Sequence, residues 1–188
     1  NGIVVAYLNV PAFIGTLGMQ LAVYGICLVY TNATPLGGYR KAYTAIATGK
    51  LFGQLPYMFI IAFVIGLIMW FVFNYTRHGK YMYAIGGNER SAMLMGLPVG
   101  RTKIMVYVLS GFCSSLGGVL VTLYMQSGYG LHALGMELDA IAAAVIGGTL
   151  LTGGVGYLAG TLVGVMILGV IQTLIAFDGE LSSWWTRI

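Results

Sequence analysis

Charge is what this sequence has least of. Nine Lys and Arg and five Asp and Glu serve 188 residues, 7% of the chain, where a soluble domain carries roughly a quarter. So few charges cannot solvate a surface of this size, which excludes a water-soluble globular domain and sets lipid against much of the outside. The net charge is +4, but the basic residues are scattered over loops and form no patch for nucleic acid. No apolar run has an ionisable residue near its middle, where proton-coupled carriers and ion pumps keep one despite its cost. Cysteine is nearly absent: Cys27 and Cys113 lie inside apolar runs and read as buried small hydrophobes. His78 and His132 stand in separate loops without a Cys or carboxylate at ligand spacing, so no metal site and no cofactor are expected. The spans hold no paired carboxylates, His cluster or activated nucleophile, which argues against an intramembrane enzyme. A Gly-x-x-x-x-Gly-Lys-Ser/Thr phosphate loop is missing as well.

What is present is apolar and rich in glycine. Hydrophobic residues make up 59% of the chain, with 29 glycines and a mean hydropathy of +0.88. Glycine is frequent in membrane helices because it lets backbones approach closely. The expected fold is all-α, a polytopic transmembrane helix bundle forming a single domain over residues 1–188. Ile3 to Leu8 read as the tail of an earlier apolar span, and the Trp184-Trp185 pair as interfacial, so the sequence reads as an internal piece of a longer protein. Five apolar stretches follow the tail: Phe13 to Tyr30, Leu55 to Tyr75, Ile104 to Gln126, Ala140 to Leu151 and Val155 to Phe177. The fourth is shorter than the roughly 20 residues a bilayer core requires. It is expected to cross inside the bundle, with a re-entrant path as the alternative.

Loop charges set the orientation. Arg77, Lys80, Arg90, Arg101 and Lys103 lie between the second and third spans, against Glu89 alone. Residues 127–139 carry Glu137 and Asp139 and no Lys or Arg, and residues 178–188 carry two acids and one Arg. The positive-inside rule then places residues 76–103 in the cytoplasm and the acidic segments outside. The loop at 31–54 falls outside too, although it contains Arg40, Lys41 and Lys50.

Two patterns stand out. Gly156, Gly160 and Gly164 recur every four residues and form one small-residue stripe; Ser110, Ser114 and Gly118 form another. Such stripes pack helices closely in lipid, and the further reading is that they slide or open along a translocation path. The second pattern is the cytoplasmic loop, which encodes a short helix with both ends marked. Asn88 suits the N-cap, Glu89 the positive end of the helix dipole, Gly96 the left-handed position after the last turn, and Pro98 prevents continuation. About two turns of helix are unstable alone in water, and Ala92, Met93, Leu94 and Met95 are apolar. The helix either folds back on its own chain or docks in a groove of a soluble subunit, chiefly through Ala92, Leu94 and the charged pair Glu89 and Arg90.

The same loop carries a family resemblance. Ala84-Ile85-Gly86-Gly87-Asn88-Glu89, Gly96-Leu97-Pro98-Val99 and Val106-Tyr107-Val108-Leu109-Ser110-Gly111 resemble the coupling region of ATP-binding-cassette carbohydrate importer permeases. These group with the ribose, galactoside and branched-chain amino acid permeases. Pro11 to Gly18, Glu137 to Ala143 and Val145 to Thr149 agree, and the tail from Phe177 to Thr186 is most similar to galactofuranose-type permeases. The resemblance implies an inner-membrane, multi-pass permease of about ten helices, of which this sequence holds roughly the second half. It also implies a second permease subunit, a cytoplasmic ATPase that docks on Asn88 through Leu97 and performs the hydrolysis, and a periplasmic sugar-binding protein. Half of a secondary transporter with a midplane site is the alternative, and it requires an inverted repeat or coupling-ion ligand that the sequence does not clearly contain.

Overall fold

The computed structural model describes residues 1–8, 10–39, 43, 49–51, 55–130 and 133–178. Arg40, Lys41, His132 and the tail from Gly179 to Ile188, with its Trp pair, lie outside the described residues. In chain order the elements are α1 (Gly2–Tyr7), α2 (Ala12–Thr31), β1 (Lys50–Leu51), β2 (Leu55–Pro56), α3 (Tyr57–Tyr75), α4 (Arg77–Gly87), α5 (Glu89–Leu94), α6 (Val99–Met125), α7 (Met136–Ile146) and α8 (Leu158–Asp178). The two strands form a minimal antiparallel pair, Lys50 opposite Pro56 and Leu51 opposite Leu55. Among the described residues, every other named element is helical. Four helices among the described residues, in α2, α3, α6 and α8, are long and apolar enough to cross a membrane.

Most span limits follow from local chemistry. The second span, expected from Leu55, starts at Tyr57, because Pro56 lacks an N–H and holds its predecessor extended. The third, expected from Ile104, already begins at Val99. At 27 residues α6 is about 40 Å long, and Arg101 and Lys103 ride on its end beyond an apolar core of about 30 Å. The helix α4 went unread in the sequence because Arg77 and Lys80 made its segment look like loop. At the far end of α2, Asn32 adopts the left-handed conformation with φ 48°. The Ala33 N–H then donates to Leu28 O at 3.0 Å and the Asn32 N–H to Val29 O at 3.4 Å, which together satisfy the last-turn carbonyls.

The described residues gather into two compact units, one of residues 1–85 and 89–134, the other of 86–88 and 135–188. In the first, α1 lies along the opening turns of α6: a Cβ on Gly2 would sit 3.1 Å from Ile104 Cα and 3.2 Å from Tyr107 Cβ. At the opposite end Leu36 and Gly128 exchange two backbone bonds, Leu36 N–H to Gly128 O at 2.9 Å and Gly128 N–H to Leu36 O at 2.8 Å. The segments that follow α2 and α6 therefore lie on one face. Burial is slight: among described hydrophobic residues Ala92, Val99, Leu123 and Ala143 are buried. Cys27 is exposed and Cys113 half-buried, so the burial expected of both thiols is not found within this chain.

The second unit is built on the hairpin of α7 and α8. The fourth apolar stretch, expected as a helix over Ala140–Leu151, is instead an 11-residue helix beginning at Met136. It reaches about 16 Å, half the hydrocarbon thickness. Gly147 and Gly148 stop it, with Gly148 at φ +88°. The chain continues in a glycine loop with two backbone bonds inside it, Leu150 N–H to Val155 O at 3.1 Å and Gly153 N–H to Leu150 O at 3.0 Å.

The helices run antiparallel, Ala143 against Gly164 and Gly147 against Gly160. A Cβ at Gly160 would overlap the Gly147 carbonyl oxygen, and one at Gly164 the Ala143 oxygen. Gly156, expected on the same helical stripe, precedes α8 and lies in the loop, where its added Cβ would meet Thr149 Cγ2 at 3.3 Å. Gly160→Ala is therefore expected to lower stability by about 1–3 kcal/mol, as overpacking does. Gly66→Ala in α3, where an added Cβ meets nothing within 4 Å, is not. Thermal aggregation of both variants in detergent is the check, and equal midpoints would refute the close contact.

Candidate functional site

The loop between α3 and α6 is held by its corners. At the first corner the Thr76 hydroxyl donates to Val72 O at 2.6 Å and accepts from the Gly79 N–H at 3.3 Å. This is the bonding of an N-cap, and it starts α4 directly after α3 ends. Gly79 is buried, and a Cβ there would overlap the Phe73 carbonyl. Only glycine fits this corner.

Asn88 occupies the break between α4 and α5. The six residues of α5 close with a complete Schellman motif. Gly96 is left-handed at φ +76°, its N–H donates to Met93 O at 3.0 Å, and the Leu97 N–H donates to Ala92 O at 3.1 Å. A residue with a Cβ is strained at such a φ, so Gly96 sets the exit angle toward Pro98 and α6. Glu89 reaches forward to Lys103 on α6, Oε1 to Nζ at 2.6 Å. Both side chains are partly exposed, so the pair is worth about 0.2–1 kcal/mol and serves register more than stability.

These ties fix which face of α5 looks outward. Ala92 is 0% exposed, whereas Met93 is 61%, Leu94 90% and Met95 68% exposed. Ala92 packs on its own chain and cannot be a contact for another protein, contrary to the expectation that it docks beside Leu94. Residues two apart on a helix project about 200° from each other, so Ala92 and Leu94 never shared a face. The periodicity carried that signal. Arg90 is exposed and lies four residues before Leu94, on the same outward side, while Glu89 is engaged by Lys103. The arrangement combines the two readings of the loop helix: one face folds back and the other stays open.

The second expected stripe behaves differently from the first. Ser110, Ser114 and Gly118 on α6 are exposed, and a Cβ at Gly118 would meet nothing within 4 Å. Among the described residues no group of three or more His, Cys, Asp or Glu is placed to hold a metal ion. A cleft of about 340 Å³ lies beside the loop, lined by His78, Tyr81, Pro98, Arg101, Thr102 and Met105. Thr102 turns its hydroxyl to Pro98 O at 2.9 Å, leaving the cleft without a paired acid and base. The outstanding chemical property of the site is thus an exposed apolar ridge on a short, firmly tied helix.

Comparison with known proteins supplies the family. A family model described as branched-chain amino acid transport system / permease component matches residues 1–188. The inner membrane ABC transporter permease protein YjfF of Escherichia coli strain K12 is 44% identical over the whole chain, which covers 57% of that relative. The ribose import permease protein RbsC of the same strain is 39% identical, again over the whole chain and 59% of the relative. The galactose/methyl galactoside import permease protein MglC is 38% identical over 98% of the chain and 56% of the relative. The chain thus spans little more than half the length of these relatives. No solved structure matches it significantly. With the model match running from end to end and these identities over essentially all of its residues, the chain belongs to the permease-component family of branched-chain amino acid transport systems.

Proposed function

We propose that the protein is the membrane-spanning permease subunit of an ATP-driven importer that carries a sugar across the bacterial inner membrane. The observation that carries this reading is α5: a two-turn helix locked to α6 by Glu89–Lys103 and its Schellman turn, with Leu94 90% exposed. Covering apolar surface is worth about 25 cal/mol per Å², and a helix already held in place loses little further freedom on binding. The partner for that ridge is a cytoplasmic ATPase subunit, which performs the hydrolysis, since this sequence has no phosphate loop. A second permease subunit and a periplasmic sugar-binding protein complete the assembly. The relatives named for ribose and for galactose/methyl galactoside support a pentose or hexose as cargo. Within that class the tail segment favours galactofuranose.

Orientation follows from charge. The five basic residues within 76–103 set that loop in the cytoplasm. The Leu36–Gly128 bridge joins the segments after α2 and α6, which then share the periplasmic face. In a background lacking Cys27 and Cys113, an impermeant thiol reagent applied to spheroplasts should label cysteines placed at Thr34 and Ala133 and spare one at Ser91. The reverse pattern would invert the topology and remove the docking surface from the ATPase.

Docking itself is tested at Leu94. Leu94→Arg should reduce co-purification of the ATPase about tenfold or more, the cost of a lost interface anchor, and sugar uptake with it. The amount of permease in the membrane should not change. Ala92→Arg should instead destabilise the loop, because that side chain has no room. Wild-type uptake and association in Leu94→Arg would sink the docking reading.

A further inference from the structure

We infer that the backbone contact of Gly86-Gly87 with Gly153-Gly154 carries motion of the docking helix to the α7–α8 hairpin. Gly86, Gly153 and Gly154, the three that admit no β-carbon, would then be positioning residues for transport. The inference rests on the docking role of α5 proposed above. Gly86 and Gly87 end α4, and Asn88 alone separates them from α5. A Cβ on Gly86 would sit 2.7 Å from Gly154 N, one on Gly153 2.7 Å from Gly86 O, and one on Gly154 2.7 Å from Gly87 Cα. Gly87 is different, its added Cβ meeting only Gly154 Cα at 3.9 Å. Three of the four positions therefore exclude any side chain, and the two segments touch main chain to main chain. In keeping with this, residues 86–88 cluster with the hairpin unit and not with the helices on either side of them.

From this contact the path continues without a flexible link. The glycine loop is bonded within itself and back to α7, with the Thr149 N–H donating to Ala144 O at 3.0 Å. Beyond it, Gly147 and Ala143 meet Gly160 and Gly164 of α8. Side chains absorb a push by changing rotamer, and main chain in close contact has no such escape. A displacement of Gly86-Gly87 must move the loop or break the contact. The composition favours this role over helix stability, since consecutive glycines are poor helix formers placed where α4 hands over to α5.

The test compares neighbouring substitutions in the full-length permease expressed with its ATPase. Gly86→Ala and Gly87→Ala both introduce a better helix former, one residue apart, and only the first overlaps Gly154. Gly86→Ala is expected to stay in the membrane and to co-purify the ATPase as wild type does. It should lose uptake about tenfold or more, with ATP hydrolysis no longer following the sugar-loaded binding protein. Gly87→Ala should transport normally. Normal uptake in Gly86→Ala, or equal losses in both variants, would overturn the inference. Should Gly86→Ala fail to reach the membrane, spin labels at Asn88 and Leu151 in otherwise wild-type protein decide the matter. A pulsed-resonance distance that is the same without nucleotide and with ATP supports the link, and a shifted one overturns it. Failure of the docking reading is visible separately, as a wild-type permease that co-purifies no ATPase.

Discussion

Two apolar helices gain nothing by exchanging lipid for each other, because hydrocarbon covers a leucine as well as another leucine does. What holds them is contact close enough for dispersion to accumulate, and that closeness has to come from missing atoms. Across α7 and α8 the missing atoms are the β-carbons of Gly160, Gly164 and Gly147, whose added counterparts would overlap backbone of the facing helix. The pairing also explains how a half-length helix is tolerated. With α8 drawn against it, α7 can stop after 11 residues and turn into a loop that carries two backbone hydrogen bonds of its own.

Much of this was legible in the sequence, for identifiable reasons. Span type follows from composition, since 7% charge leaves no other way to cover the surface. Of the five stretches expected to span, however, four are helices long enough to cross among the described residues. Helix ends were legible where a single residue decides them, as at Gly96. The stripe at Gly160 and Gly164 was visible as a spacing of four. Errors arose where two rules competed. Arg101 and Lys103 read as loop, although a helix longer than the bilayer carries charge on its protruding end. Gly156 shares the spacing of the stripe, but Gly153 and Gly154, at φ +91° and +80°, keep the chain out of helix until Leu158. At α5, composition marked four apolar residues, and the helical period that divides Ala92 from Leu94 was not applied to them. The contact between Gly86 and Gly154 is of another kind. It joins positions far apart in sequence, and one sequence holds no local pattern from which such a pairing can be read.

The same division runs through the charges. Glu89 is the only acid between Tyr75 and Ile104, and the structure commits it to Lys103 at 2.6 Å. That leaves the outward side of α5 with Arg90 next to an apolar ridge and no carboxylate of its own. A partner groove that accepts this ridge gains most from an apolar floor with acidic rims. Rim charges of that kind set the rate and register of docking more than its strength, while the ridge supplies the affinity.

Strength of docking alone does not move a membrane helix, however. A ridge tied loosely to its protein would follow the partner and leave the spans at rest. In this chain the Schellman turn and Lys103 tie α5 to α6, and Asn88 joins α5 along the chain to Gly86-Gly87. The glycine contact is main chain on main chain, where no change of rotamer can absorb a displacement. On the docking and coupling proposed above, the open ridge and the absent β-carbons would answer different needs of one device, the ridge letting force in and the glycines passing it on to a helix long enough to cross the bilayer.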